Sequence, residues 1–187
     1  MYVDYNDGGH DREALLEIPK ESSKEVIDLA QKCFGSKLTV SEIHQGQEVD
    51  TNRLPDAKSK QKMRVDKHNH PLPEAKPDKV TIVVVCPRWR RVTQGNQFKL
   101  HANDPVVAVN KPGTYSFAYV DPGTYRLASQ AQNANGFEMQ LEAGKTYYFL
   151  QNTGQGAFKY STMLSRNSPE VVTYLMNGSY FSVWNRK

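Results

Sequence analysis

The tetrapeptide Pro-Gly-Thr-Tyr occurs twice in this chain of 187 residues, at 112–115 and again at 122–125. A looser copy, Ala-Gly-Lys-Thr-Tyr, follows at 143–147. Pro and Gly favour a tight turn, whereas Thr and Tyr favour extended backbone. Each copy therefore predicts a turn that leads into a β-strand. Because a period of ten residues is shorter than a solenoid unit of about 20 or more, the copies indicate successive hairpins of one β domain.

The remainder of the C-terminal part also has strand patterns. Residues 80–86, Val-Thr-Ile-Val-Val-Val-Cys, form an apolar run that predicts a central strand covered on both faces. Alternation at 115–120 predicts a strand, and alternation at 137–142 predicts a strand with one solvent-exposed face. Further strands are expected at 97–101, 106–109, 125–127, 146–151, 158–164 and 180–184, and a short helix is expected after Ser168. The sequence thus predicts a mostly β fold, an immunoglobulin-like antiparallel β-sandwich with a short C-terminal helix.

The first 78 residues have a different composition. They contain 12 Lys and Arg, 15 Asp and Glu and three of the 19 aromatic residues, whereas residues 79–187 contain 12 basic and 5 acidic residues. A segment so poor in aromatic residues buries too little apolar area to offset its ordering entropy. We therefore expect an irregular N-terminal arm at 1–44, a polar Pro-rich linker at 45–78 and the β-sandwich domain at 79–187.

Within the arm, a capping-box pattern predicts one helix. Ser22-Ser23-Lys24-Glu25 precedes apolar residues at helical spacing, so the helix should span about residues 23–34. Leu38 and Val40 then indicate a short strand. The arm itself is expected to have little other regular structure.

An Arg-rich turn follows the central strand and is the candidate interaction site. It contains Arg88, Trp89, Arg90 and Arg91. Guanidinium groups can bind phosphates, and an indole can stack on a base. The modest net charge of +4 and the lack of a known nucleic-acid-binding signature instead favour a basic surface loop. Basic linker residues that would extend a nucleic-acid footprint are Arg53, Lys58, Lys60, Lys62, Arg64 and Lys67.

The sequence His68-Asn69-His70, with Asp66 nearby, has the composition of a metal site. A closed site needs about four ligands, and no second Cys or His pair has matching spacing. The nuclease motif of similar composition requires paired strands, which Pro71 and Pro73 disfavour. We expect a polar linker here, and neither a metal nor a cofactor.

Catalytic motifs are not evident, so the protein is expected not to be an enzyme. The sequence lacks a nucleophile elbow, a phosphate loop, a dinucleotide fingerprint and a zinc-protease motif. Cys86 and His101 could meet, but a cysteine on a Val-rich strand is expected to be inert. A disulfide between Cys33 and Cys86 stays open. Five carboxylates in the β domain form no evident acid–base pair: Asp104, Asp121, Glu138, Glu142 and Glu170.

Eight tyrosines of the β domain could line a carbohydrate or peptide groove. Most are expected to be core and rim residues, buried on the ring and hydrated at the hydroxyl. An interface role is expected for a subset, because Tyr is enriched at interface hot spots. The eight are Tyr115, Tyr119, Tyr125, Tyr147, Tyr148, Tyr160, Tyr174 and Tyr180.

Three segments carry a family resemblance: the strand at 80–87, the Pro-Gly-Thr-Tyr turn at 122–125, and Leu-Glu-Ala-Gly-Lys-Thr-Tyr-Tyr-Phe at 141–149. Together, residues 80–151 resemble a family of small, uncharacterised exported bacterial β domains, similar to PEGA-type and carboxypeptidase-regulatory-like sandwiches. The resemblance implies a non-catalytic structural or protein-binding component of a cell-envelope assembly. The sandwich would dock with other proteins of that assembly, or with itself, while the extended arm reaches a neighbour.

The location and the function each have an alternative. No stretch approaches the roughly 20 apolar residues of a membrane-spanning helix. The first residues lack a secretory signal and the lipobox cysteine of the family, so either a leader was removed or the protein is cytoplasmic. The alternative function is that of a nucleic-acid-binding accessory protein, which would use the basic linker with Arg88, Arg90 and Arg91.

Overall fold

The computed structural model describes residues 16–19, 24, 28, 38–41, 44–50, 54, 61–88, 96–155 and 160–184. The chain divides into two compact units, Met1–Ile43 and His44–Lys187. In the first unit, strands β1 (Leu16–Pro19) and β2 (Leu38–Ser41) pair in parallel. Lys24 and Asp28 are helical, and the other residues of the helix predicted at 23–34 lie outside the described residues. The predicted arm therefore contains a small parallel β pair.

The second unit is a β-sandwich with one short helix in its described part. Its strands are β3 (His44–Gln45), β4 (Gln47–Val49), β5 (Met63–Asp66), β6 (Val80–Cys86), β7 (Phe98–Ala102), β8 (Val106–Asn110), β9 (Thr114–Val120), β10 (Gly123–Gln130), β11 (Ala134–Leu141), β12 (Thr146–Gln155), β13 (Tyr160–Arg166) and β14 (Tyr180–Trp184), and helix α1 spans Pro169–Asn177. One sheet has the order β4-β11-β10-β7-β8, and the other has the order β3-β13-β12-β6-β9-β14-β5. The predicted mostly β sandwich with a C-terminal helix is confirmed.

The Pro-Gly-Thr-Tyr copies and the looser copy lead into strands as predicted, but the predicted hairpins are wrong. The copies connect β8 to β9, β9 to β10 and β11 to β12, and each connection joins one sheet to the other. Gly113 has a φ of +82° and Gly144 a φ of +73°, values that favour glycine. The turns lead into β9 and β12, and the second copy leads into β10. Helix α1 begins as predicted, because the side chain of Ser168 accepts a hydrogen bond from the N–H of Val171.

The strand directions differ between the two sheets. The five-stranded sheet is antiparallel, as predicted. For the seven-stranded sheet the predicted antiparallel arrangement is wrong: the sheet is mixed, because β6 is parallel to β12 and β9 is parallel to β14. Parallel strands need crossover connections. Helix α1 supplies one between β13 and β14, and residues 67–79 supply another between β5 and β6.

The core lies between the sheets, and β6 is buried on both faces. Val80, Ile82 and Val84 belong to the apolar cluster that joins the two sheets. Val83 and Val85 lie on the opposite, outer face and are also fully buried. Helix α1 contacts β6 and β12, and its buried residues are Val171, Val172 and Met176. The apolar run therefore forms the central, doubly covered strand that it predicts.

The segment that was predicted as a linker contributes strands to both sheets. β3 pairs with β13, β4 with β11 and β5 with β14, so the compact unit begins at His44 rather than at residue 79. These strands are short, polar and at sheet edges, which explains why hydrophobic periodicity does not reveal them. β3 and β4 belong to different sheets and flank Gly46, where a Cβ would lie 2.3 Å from Asn135 Oδ1.

Candidate functional site

Residues 67–77, called the strap below, cross the outer face of the seven-stranded sheet. They connect the edge strand β5 to the central strand β6 and contain no helix or strand. Pro71, Pro73 and Pro77 each fix their own φ near −65° and restrict the preceding residue to extended backbone. The sequence thus stiffens the strap without secondary structure.

Two tyrosines of β9 bind the strap through their hydroxyl groups. Tyr115 Oη donates to the carbonyl oxygen of Pro71 at 3.0 Å, and Tyr119 Oη donates to that of Glu74 at 3.0 Å. The N–H of Glu74 also donates to Tyr119 Oη at 3.2 Å. Because residues four apart on a strand share a face, both hydroxyls reach the same side. They bind two strap carbonyls that are three residues apart.

Four rings form an aromatic face beneath the strap: Tyr115, Phe117, Tyr119 and Phe181. The ring centres of Tyr115 and Phe181 are 5.4 Å apart, as are those of Phe117 and Phe181. Phe117 and Tyr119 are 6.0 Å apart in an edge-to-face arrangement. These separations are typical of favourable aromatic pairs. The register places Phe181 beside Tyr115, so the two parallel strands build the face together.

Cationic and imidazole side chains of the strap lie against the surrounding rings. Lys76 Nζ is 4.1 Å from the centre of the Tyr119 ring, and Lys67 Nζ is 5.9 Å from that of Tyr180. The ring centre of His70 is 6.4 Å from that of Tyr180. Each exposed cation–π contact contributes about 0.5–1 kcal/mol. The strap is therefore held by specific but individually weak contacts.

Three large apolar side chains of the described residues are exposed, one on the strap, one at the start of β14 and one on α1. Leu72 in the strap is 69% exposed, Tyr180 at the start of β14 is 43% exposed, and Tyr174 on α1 is 40% exposed. The strap and α1 both cover the outer face of the seven-stranded sheet, and Tyr180 packs beside His70 of the strap. We call this surface the strap side. Large exposed apolar side chains beside polar residues are frequent at interaction sites.

Asp66 organises the turn from β5 into the strap. Its Oδ1 accepts the N–H groups of His68 and Asn69 at 3.1 Å, and its Oδ2 accepts Asn69 Nδ2 at 3.1 Å. The side-chain bond from Asn69, followed by the two backbone bonds, lowers the pKa of Asp66 to about 2. The carboxylate thus serves the turn. No group of three or more His, Cys, Asp or Glu in the described ranges is placed to hold a metal ion.

We expect the Asp66 turn to lose its stabilising contribution in acid. A carboxyl group whose pKa is lowered by folding stabilises the fold fully above its unfolded pKa of about 3.9. That contribution disappears as the pH falls through about 2. Asp66→Asn should therefore lower the thermal unfolding midpoint at pH 6 and should match the wild type near pH 2, as measured by circular dichroism. The prediction would be contradicted if the difference in unfolding midpoint between Asp66→Asn and the wild type is the same at both pH values. Asp78→Asn is the control, because Asp78 is exposed in the next turn.

Arg88 is the one member of the Arg-rich turn that the structure describes, and Trp89, Arg90 and Arg91 lie outside the described residues. Arg88 is exposed and follows β6 where Cys86 pairs with the first residue of β9. Its aliphatic stem packs on Gly113, where a Cβ would lie 3.3 Å from Arg88 Cβ. Arg88 thus lies exposed at one end of the seven-stranded sheet.

Three of the six linker residues that would extend a nucleic-acid footprint are described, and each is exposed. Lys62 precedes β5, Arg64 lies within it, and Lys67 begins the strap. Arg64 also lies 3.7 Å from Asp66, with its side chain 71% exposed. Arg53, Lys58 and Lys60 lie outside the described residues. These three cationic residues thus lie along β5 and at the start of the strap.

Cys86 and His101 do not form a nucleophile–base pair. Cys86 is free and fully buried, and burial raises the pKa of its thiol, which disfavours the reactive thiolate. His101 Nε2 is 3.0 Å from Gln130 Oε1, and its Nδ1 is 3.0 Å from the carbonyl oxygen of Asp104. Both imidazole nitrogens therefore make structural contacts, and Cys86 forms no disulfide.

A polar cleft of about 640 Å³ opens beside β4. Gln132 Oε1 accepts the N–H of Tyr160 at 2.8 Å, and Asn133 Oδ1 accepts the N–H of Thr162 at 2.7 Å. These amides fasten the turn between β10 and β11 to β13, so they serve the fold. The lining residues are Glu48, Val49, Asp50, Gln132, Asn133, Ala134, Tyr160 and Ser161.

The strap site was not predicted from the sequence, which placed residues 67–77 in a linker. The alternation of Tyr115 and Tyr119 and the proline spacing were visible, but nothing in the sequence pairs them.

No helix within the described ranges is long and apolar enough to cross a membrane. Comparison of the chain with protein-family models, curated proteins and solved structures finds no significant match.

Proposed function

We propose that the protein is a non-catalytic protein-binding module and that the strap side is its binding surface. The observation that carries this proposal is the exposure of three large apolar side chains on the strap, α1 and the start of β14: Leu72, Tyr174 and Tyr180 are 69%, 40% and 43% exposed. Interfaces combine buried aromatic anchors with a polar rim, and tyrosine is enriched among residues that dominate binding energy. The strap side offers both kinds of residue on a stiff support.

The strap side carries charges of both signs. The strap contains two lysines and one glutamate, Arg64 lies 3.7 Å from Asp66, and α1 adds Glu170 in its first turn. Complementary charges at the rim raise the association rate and exclude wrong partners. The partner should therefore present an apolar pocket that is bordered by both acidic and basic groups.

We also propose a place of action, in a bacterial cell-envelope assembly. The support is the family resemblance of residues 80–151, whose members are exported and non-catalytic. In this proposal the sandwich docks with another protein of the assembly through the strap side, and the N-terminal unit reaches a neighbour. Fractionation of cells that express the gene from its own locus tests the location, and recovery in the cytosol alone would contradict it.

Capture of partners by surface variants tests the binding function. Tagged wild type and a Leu72→Ser/Tyr180→Ser variant are used as baits in detergent extracts, and the captured proteins are quantified by mass spectrometry. We expect a specific partner to be enriched by the wild type and reduced at least about tenfold by the variant, since two anchors are lost. Glu138→Ser/Gln140→Ser on β11, also exposed, is the matched control. Equal capture by all three baits would contradict the proposal.

Nucleic-acid binding is the second candidate function, because Arg88 is exposed at the end of the seven-stranded sheet. Binding through phosphate contacts would be strongly dependent on salt, with nonspecific dissociation constants of about 10⁻⁴ to 10⁻⁶ M at physiological salt. Fluorescence anisotropy with a labelled 20-mer single strand and a duplex tests it at low salt. Binding that Arg88→Ala weakens would support this function, and no binding at micromolar protein would exclude it.

A further inference from the structure

We propose that the aromatic face of β9 is a recognition site for proline-rich segments, which the chain's own strap occupies and a partner protein's segment can replace. This inference rests on the proposed protein-binding function and gives the partner a proline-rich segment in addition to the apolar pocket that receives Leu72 and Tyr180. The strap serves as the example of the ligand, because it shows which groups of a proline-rich segment the face contacts.

The hydrogen-bond spacing matches the period of a polyproline II helix. That helix has three residues per turn, so carbonyl oxygens three residues apart lie on the same side. Tyr115 and Tyr119 bind the carbonyl oxygens of Pro71 and Glu74, which have this spacing. Proline-recognition domains likewise bind such segments on aromatic surfaces. The contacts therefore suit a docked peptide.

The strap also indicates which sequence the face prefers. Its residues 71–76 read Pro-Leu-Pro-Glu-Ala-Lys. The Lys76 ammonium group lies 4.1 Å from the centre of the Tyr119 ring, two residues beyond the second bound carbonyl. Leu72 is 69% exposed, so the position between the prolines is open to any residue. The predicted ligand pattern is Pro-x-Pro-x-x-Lys, with Arg an acceptable replacement for Lys.

The strap can be displaced because little of it is buried. Each of its residues is exposed or partly exposed, and segments with few buried contacts open locally at low free-energy cost. Its covalent connection to β5 and β6 nevertheless gives it an effective concentration of millimolar order at the face. A partner segment therefore competes with the strap, and the strap keeps weak ligands out.

Peptide binding to a variant with a weakened strap tests this inference. The probe is a fluorescein-labelled peptide with the sequence of residues 68–78, followed by anisotropy. Pro71→Gly/Pro73→Gly loosens the strap because glycine restores the backbone freedom that proline removes. The peptide should bind this variant at least about tenfold more tightly than the wild type, since its intramolecular competitor is weaker.

Substitutions on the face separate the proposed site from other binding. In the strap-weakened protein, Tyr115→Phe and Tyr119→Phe should each weaken peptide binding by about threefold to tenfold through the loss of a hydroxyl hydrogen bond. Tyr125→Phe on β10 of the five-stranded sheet, which is partly exposed, is the matched control and should leave peptide binding unchanged. The same peptide with Ala at both central prolines should bind at least about tenfold more weakly. The inference would be overturned if the peptide shows no saturable binding up to about 1 mM, which is on the order of the strap's effective concentration. It would also be overturned if the peptide binds equally well after either β9 substitution.

Two further measurements keep the test decisive. If the strap-weakened variant does not fold, cleavage of the wild type after Glu74 by glutamyl endopeptidase replaces it. Tyr119→Phe should then speed cleavage at least about threefold, because a bond to Glu74 is lost, and an unchanged rate would overturn the inference. A wild-type dimer that dissociates on adding the peptide would show a second copy as the occupant and would overturn the assignment to a partner protein. Failure of peptide binding while the Leu72→Ser/Tyr180→Ser variant still loses its partner would remove this inference and leave the proposed function intact.

Discussion

Gly136→Ala is expected to destabilise the sandwich by about 3 kcal/mol or more, which is large for the addition of one methyl group. The new Cβ would lie 2.0 Å from the carbonyl oxygen of Leu127 and 2.7 Å from the Cα of Ala128. Both atoms belong to the backbone of β10, which pairs with β11 at this point. The backbone cannot move without breaking the ladder between two central strands. Urea unfolding followed by fluorescence measures the loss.

Gly178→Ala is the matched control for this prediction. Gly178 follows α1 with a φ of −93°, and a Cβ there would meet its nearest atom, the carbonyl oxygen of Leu175, at 3.8 Å. Replacing a glycine at a compatible position stabilises a fold by about 0.4–1 kcal/mol through the unfolded chain. Equal effects of the two substitutions would show that β10 and β11 do not approach as closely as described.

Gln151→Leu is expected to cost about 2–4 kcal/mol, because it breaks a buried polar network between the sheets. Gln151 Oε1 accepts Asn110 Nδ2 at 3.3 Å, and its Nε2 donates to Ser129 Oγ at 2.8 Å and to the carbonyl oxygen of Lys99 at 3.3 Å. The side chains of Gln151, Asn110 and Ser129 are fully buried. A leucine of similar size would leave the buried Asn110 Nδ2 without the Gln151 Oε1 acceptor, while Ser129 Oγ keeps its contact with Thr162 Oγ1.

A double substitution tests whether these groups act as a network. Asn110→Leu/Gln151→Leu should cost less than the sum of the two single losses by about 0.5 kcal/mol or more, because both partners become apolar. Chemical unfolding of the four proteins gives the coupling. Gln140→Leu on the exposed side of β11 is the control and should stay within about 0.5 kcal/mol of the wild type. Fully additive losses would contradict the network.

The sequence predicts the strands from residue 80 onward because their apolar patterns and turn residues are local signals. The run at 80–86 shows that β6 is covered on both faces, and Ser168 marks the start of α1. Strand direction is not local, so the parallel pairing of β6 with β12 could not be read from the pattern. The edge strands β3, β4 and β5 escape prediction because short polar strands lack hydrophobic periodicity.

The candidate site was less accessible to sequence analysis than the fold. Tyrosine hydroxyls hold residues 67–77 on the sheet, and a tyrosine in a strand pattern gives no sign of what its hydroxyl binds. The alternation of Tyr115, Phe117 and Tyr119 predicts one shared face, but does not say what covers it. The Arg-rich turn was conspicuous by composition, yet the structure describes only Arg88 among its candidate residues.

Hydroxyl-radical footprinting of the protein in its native extract tests most directly whether the strap side binds a partner. The oxidation of Leu72, Tyr174 and Tyr180, the exposed apolar residues of that side, is compared between the extract and the purified protein. We predict that all three are protected in the extract, while Tyr125 of the five-stranded sheet, which is partly exposed, is oxidised equally in both. Equal oxidation of the three strap-side residues in extract and purified protein would contradict partner binding at the strap side.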